Sequence, residues 1–159
     1  MHLETNSPVV GRELRTSRLV KAPRSLVYKM WTEAEHIANW WGPRGFTNTI
    51  HQMDVRSGGE WRFIMHGPDG TDYPMSGKFK DFYPPFRFIF TAAALDKSGK
   101  PMFENWNSVL FEEVEGGTQV TLDVHVMSAT EVAPQYLRGM RLGWSSSLDK
   151  LAEMVEKTN

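Results

Sequence analysis

With 159 residues, 40% apolar and 23% charged side chains, the chain has the composition of an ordinary globular protein and the length of one domain. Eighteen basic against 19 acidic residues give a net charge of −1, and no basic run is there to neutralise phosphates, so nucleic acid is not an expected partner. Cysteine is absent, which excludes disulfides and thiolate chemistry, and without an apolar run of spanning length or a signal-peptide pattern no membrane insertion is expected and the cytoplasm is the expected compartment.

Residues 1–11 hold Pro8 and lack periodicity, and read as a flexible N-terminal arm. Glu13 to Lys21 alternates weakly and predicts the first strand. Pro23 leads into a helix that Ser25 is placed to cap, with Leu26, Val27, Met30 and Trp31 at helical spacing. A second short helix is predicted over Glu33 to Trp41, stopped by Gly42-Pro43. Adjacent helical residues point about 100° apart, so one of Trp40 and Trp41 is expected inside and the other at the rim.

Strands are then predicted over Phe46 to Arg56, Glu60 to His66, Tyr73 to Phe82, Phe86 to Ala94, Glu104 to Glu113 and Thr118 to Met127. Gly67-Pro68-Asp69-Gly70 is a hairpin turn signal, Tyr83-Pro84-Pro85 ends a strand, and Glu115-Gly116-Gly117 is a turn. Ser57-Gly58-Gly59 is a turn or a bulge, and a bulge there would invert the faces of one strand. Val120, Leu122, Val124 and Val126 alternate with Gln119, Thr121, Asp123 and His125, the pattern of a sheet packed on one side. Glu131 to Lys157 predicts one long helix with a stripe of Tyr136, Leu137, Met140, Trp144, Leu148, Leu151 and Val155. The order of one strand, two short helices, six strands and one long helix describes an α+β domain with an antiparallel sheet gripping the last helix.

Several motifs resemble a known family. They are Arg18-Leu19-Val20-Lys21-Ala22-Pro23 with Val27 and Trp31, Trp40-Trp41-Gly42-Pro43, Asp54-Val55-Arg56-Ser57-Gly58-Gly59, Met65-His66-Gly67-Pro68-Asp69-Gly70, Tyr83-Pro84-Pro85, Gly117-Thr118 and Gly143-Trp144. In this order they are similar to the homologues of the activator of the heat-shock-protein-90 ATPase, within the START-like, birch-pollen-allergen-like (SRPBCC) superfamily. The resemblance covers roughly residues 12 to 156. It implies one START-like domain over residues 12–157 with a helix-grip fold: a seven-stranded antiparallel sheet curled around the C-terminal helix, with a cavity between them. Members of the superfamily bind lipids, hormones or polyketides there, and a few are catalysts.

Alternation nominates the lining of such a cavity. Trp61, Phe63, Met65, Met75, Phe79, Phe88, Phe90, Val109, Phe111, Val120 and Leu122 come from the strands, Met140 and Trp144 from the last helix, and Trp40 and Trp41 from the second short helix. Ligand sites are concave and mostly apolar, so the expected guest is a small hydrophobic or amphipathic molecule. The competing reading is that these side chains fill the space completely. Gly143, which costs about 1 kcal/mol in a helix interior, is expected to allow close helix–sheet approach or to leave room over the cavity.

Catalytic signatures are sparse. No G-x-S-x-G elbow is present, and Ser145-Ser146-Ser147 lies in the last helix, where hydroxyls bond to the preceding turn. Asp54, Asp81, His66 and Glu104 are the titratable candidates, with Asp54 and Arg56 placed to pair structurally. His66 and Glu104 are the two carried forward for a cyclase, dehydratase or hydrolase alternative, which requires one of them buried in the cavity. His2, His36, His51, His66 and His125 show no metal-binding spacing, so neither metal nor cofactor is expected. A third reading is a chaperone partner, which the family's name suggests. Homodimerisation is left open.

Overall fold

The computed structural model describes residues 13–129 and 133–158. The arm expected over residues 1–11 lies outside them, as do the side chains of Tyr136 and Leu137 in the expected stripe. β1 (Glu13–Val20) is followed by the helices α1 (Arg24–Thr32) and α2 (Ala34–Ile37). Six strands come next: β2 (Thr47–Met53), β3 (Glu60–His66), β4 (Asp72–Tyr83), β5 (Arg87–Leu95), β6 (Pro101–Val114) and β7 (Gly117–Ala129). The helix α3 (Ala133–Thr158) follows.

All the strands join one antiparallel sheet in the order β1-β7-β6-β5-β4-β3-β2. The helices α1 and α2 carry the chain from one edge of the sheet to the other. Register shifts between Ile50 and Gln52, between Phe79 and Asp81, and between Glu104 and Asn105 add bulges, which bend a sheet and sharpen its twist. Gly58-Gly59 does not invert β3, because Trp61 and Phe63 are buried as alternation predicts. β6 begins already at Pro101 rather than Glu104, because Leu95 of β5 pairs with it.

Two local expectations are corrected. Ser25 does not cap α1: the helix starts at Arg24 with Pro23 in the cap position and no side-chain cap. The carbonyl of Pro23 accepts from the N–H groups of Leu26 and Val27 instead. The second helix ends at Ile37, not Trp41, so the 100° rule does not govern Trp40 and Trp41, and both are buried.

The inner face of the sheet carries Leu14, Trp61, Phe63, Phe88, Phe90, Val109, Phe111, Val120, Leu122 and Val124, all buried. Leu148, Leu151, Ala152 and Val155 of α3 complete this core. Polar contacts hold α3 in place around it. Arg18 of β1 pairs with Asp149 at 2.8 Å, and Arg44 pairs with Glu153. The backbone N–H of Arg44 donates to Ser146 Oγ at 2.9 Å. Lys150 Nζ donates to the carbonyls of Gly42 and Pro43 at 3.2 and 3.3 Å.

Candidate functional site

The space between the sheet and α3 is built around Trp41. Its ring lies 5.8 Å from Trp61, 5.4 Å from Phe63, 6.2 Å from Phe90 and 5.0 Å from Trp144, mostly edge to face, the favoured geometry for aromatic pairs. Trp144 also stacks on Trp31, 5.8 Å between centroids and 16° between planes. Trp40 turns the other way, toward α1, where its indole donates to the Met30 carbonyl at 3.0 Å.

The structure brings the nominated residues together. Trp40, Trp41, Trp61, Phe63, Phe79, Phe88, Phe90, Val109, Phe111, Val120 and Leu122 are buried in one cluster, with Met65, Met75, Met140 and Trp144 half-buried against it. One small void lies on the side of this cluster toward α1 and α2. The void bounded by Trp31, Ile37, Trp41, Met53, Trp61, Phe63, Phe79, Phe88 and Phe90 is about 10 Å³, room for one water at most. Close packing of the rings accounts for it. Trp31 was not nominated, yet it sits at the centre of these rings, and its indole N–H is buried without a partner among the described residues.

Asn105 and Asn107 were also missed. They occupy successive inward positions of β6, between Phe103 and Val109, and are 7% and 1% exposed. Asn107 Nδ2 donates to Asn105 Oδ1 at 2.6 Å and to the Phe90 carbonyl at 3.3 Å. Carrying the alternation of Val109 and Phe111 back along the strand would have found both.

The two catalytic candidates lie elsewhere. His66 stands at the end of β3 on the outer face. Its Nδ1 is 2.7 Å from Asp72 Oδ1 and its Nε2 is 2.7 Å from Thr49 Oγ1, so it ties three strands together at a solvated corner. Glu104 also faces outward, where its carboxylate accepts from Ser128 Oγ at 3.4 Å. Neither is buried beside the aromatic cluster, as the catalytic alternative requires. Asp54 and Arg56 pair with each other at 2.7 Å. Glu33, Glu35 and His36 place three ligand atoms within 4.8 Å of one another at the surface around α2.

A second concavity, of about 380 Å³, opens on the outer face. It lies where β4 and β5 fail to pair around Gly77 and Lys78. Gly77 is required there, because a Cβ would collide with the Thr91 carbonyl and the Trp61 indole. Trp61 Nε1 donates to that carbonyl, and the N–H of Lys78 goes to Thr91 Oγ1 at 3.0 Å. Arg62, Lys78, Glu104, Trp106 and Met127 surround the depression, a mixed lining of both charge signs.

Seven antiparallel strands wrapped on a C-terminal helix, with two short helices after the first strand, define a helix-grip protein of the START-like class. The chain belongs to the family described as Activator of Hsp90 ATPase homolog 1-like protein, which matches residues 21–156. An AHSA1 protein of Silicibacter pomeroyi is 24% identical with a TM-score of 0.79, covering 93% of this chain and all (100%) of that one. A protein of Arthrobacter aurescens is 20% identical with a TM-score of 0.83, covering 98% of this chain and 91% of that one. A Chromobacterium violaceum protein is 23% identical with a TM-score of 0.78, over 91% of this chain and 96% of that one. At these identities the likeness shows the fold. No protein of curated function matches the sequence. Among the described residues no helix is long and apolar enough to cross a membrane.

Proposed function

We propose that this protein holds a small hydrophobic or amphipathic molecule between the inner face of the sheet and α3. The fold is compatible with ligand binding, and one observation carries the reading further. The aromatic lining is continuous from β3 to α3, yet Met65, Met75, Met140 and Trp144 at its border are only half-buried. Unbranched thioether side chains repack around a guest at small cost. Repacking of Met65, Met75 and Met140 therefore gives the border room to admit a guest. Among the described residues the buried polar side chains are Asn105, Asn107, Thr118 and Ser147, with no acid or base among them. This favours a binder over a catalyst.

Native mass spectrometry of gently purified protein, with displacement of a hydrophobic dye by a lipid panel, tests the reading. A retained mass or a displaceable dye is expected. Trp144→Ala, which vacates the faces of Trp31 and Trp41, should raise dye binding. A folded protein and a folded variant that both ignore the dye and every lipid would overturn it.

A further inference from the structure

We infer that Thr49, His66 and Asp72 form an acyl-transfer site on the outer face of the sheet. It cleaves activated carboxylic esters, those whose leaving group is a phenol or a thiol. The site lies across the sheet from the proposed binding space and does not rest on that reading.

Three adjacent strands supply one residue each: Thr49 from the edge strand β2, His66 from the end of β3 and Asp72 from the start of β4. Asp72 stands directly opposite His66 in the register, and Thr47 stands opposite it on the other side. Residues two apart on a strand share a face, so the imidazole reaches diagonally past Thr47 to Thr49. Asp72 Oδ1 lies 2.7 Å from His66 Nδ1, and Thr49 Oγ1 lies 2.7 Å from His66 Nε2. These two bonds fix the tautomer of the neutral ring. A carboxylate has only acceptor atoms, so Nδ1 carries the proton and donates to Asp72. Nε2 keeps its lone pair and accepts from the Thr49 hydroxyl. A hydroxyl nucleophile, a base in its acceptor form and a carboxylate that orients the base are the parts of the Ser-His-Asp arrangement, here with threonine as the alcohol.

The next rows of the sheet show what lies beside the nucleophile. Ile64 stands between Thr49 on one side and Pro74 on the other, and Ile64 and Pro74 are half-buried. Arg62 and Ser76 come next, at the rim of the outer depression of about 380 Å³. An acyl chain on Thr49 therefore lies over Ile64 and Pro74 and extends toward that depression. Thr49 and Asp72 are exposed, so a substrate reaches the hydroxyl directly. The oxyanion formed at such an open corner is solvated by water, which restricts the site to esters with a weakly basic leaving group.

In the first step Thr49 Oγ1 attacks the carbonyl carbon, its proton passes to His66 Nε2, and the carbonyl π pair moves to oxygen. Asp72 holds the resulting imidazolium. As the tetrahedral intermediate collapses, the C–O or C–S bond breaks and the phenol or thiol leaves with the proton from His66. Solvent water then attacks the Thr49 ester. His66 takes the water's proton and returns it to Oγ1, which releases the carboxylic acid.

Hydrolysis of 4-nitrophenyl butyrate by the full chain tests this. Turnover above buffer is expected, with a butyryl group on the Thr49 peptide after an acid quench. A surface imidazole attacks such esters by itself, so Thr49→Val decides: it keeps the side-chain shape and leaves His66 in place. It should lower the rate by about tenfold or more and remove the adduct, while Thr49→Ser retains both. Asp72→Asn should also lower the rate, because Nδ1 loses the acceptor that fixes the tautomer. Melting midpoints confirm that the variants are folded, and for any that is not, the mapped adduct on the unaltered protein decides. Undiminished turnover in folded Thr49→Val, a butyryl group found only on histidine or lysine, or no turnover by the unaltered protein overturns the inference. The binding reading stands or falls separately, on the dye and lipid experiments.

Discussion

The indole N–H of Trp61 donates to the carbonyl of Thr91 at 3.0 Å, replacing a backbone donor where β4 and β5 separate around Gly77. One side chain thereby belongs to two systems: its ring meets Trp41 and Phe63 on the inner face, and its N–H closes the ladder. Trp61→Phe keeps most of the ring and leaves the Thr91 carbonyl without its partner. A loss of about 1–3 kcal/mol is expected in denaturant unfolding. Stability unchanged in Trp61→Phe would show that the ladder closes without the indole.

Gly143 sits inside α3, where a Cβ would meet Pro43 Cγ at 3.6 Å, an ordinary contact, and nothing nearer among the described residues. Neither close helix–sheet approach nor space over a cavity accounts for it. Gly143→Ala should therefore stabilise the protein by about 0.5–1 kcal/mol through helix propensity. A thermal melt reads this as a rise in midpoint, and a fall would reveal a backbone demand at this position.

Lys150 reaches from α3 to the carbonyls of Gly42 and Pro43, clamping the loop that carries Trp41 inward. Lys150→Met retains the stem and deletes the donors. It should cost about 1 kcal/mol and quicken amide exchange at Arg44, whose N–H is held by Ser146 on the same helix. Exchange at Arg44 unaffected by the substitution would argue that Ser146 secures the loop alone.

Acid should weaken the protein through turn carboxylates. The Ser98 hydroxyl, with the backbone N–H groups of Lys100 and Ser98, holds the Asp96 carboxyl below the usual range. The Thr71 backbone does the same for Asp69, and Arg44 for Glu153. A depressed folded value keeps the native carboxylate ionised while the unfolded chain is already taking up protons. The stability these groups contribute is full above about pH 4, the ordinary carboxylate value, and is lost as pH falls through the lower folded values. Melting midpoints measured down from pH 7 should drop in this acid window. Asp96→Asn should make the drop shallower, and an unaltered acid limb in that variant would remove Asp96 from the account.

Local pattern carried most of the fold. The alternation of Trp61 and Phe63, and of Val120 to Val126, set which side chains face inward, because successive side chains on a strand point to opposite faces. Gly67-Pro68-Asp69-Gly70 and Glu115-Gly116 marked the turns that the strands use. Asn105 and Asn107 were legible by the same rule, since they continue the inward alternation of Val109 and Phe111 along β6. Trp40 and Trp41 were not legible. Their directions depend on where α2 stops, and helix ends are decided by tertiary partners such as Asn48, whose amide donates to the carbonyls of Ala38 and Trp41 at 3.0 and 2.7 Å.

By itself the sequence determined the elements, their faces and the family, since each depends on periodicity and turn chemistry within short windows. Only the tertiary structure decided that Trp41 meets Trp61 and Trp144 edge to face while Trp144 stacks on Trp31. That outcome depends on how near α3 and the Gly42–Arg44 loop come to the sheet. Contacts between residues far apart in the chain set this distance, Arg18 with Asp149 and Arg44 with Ser146 and Glu153, and no local pattern encodes it.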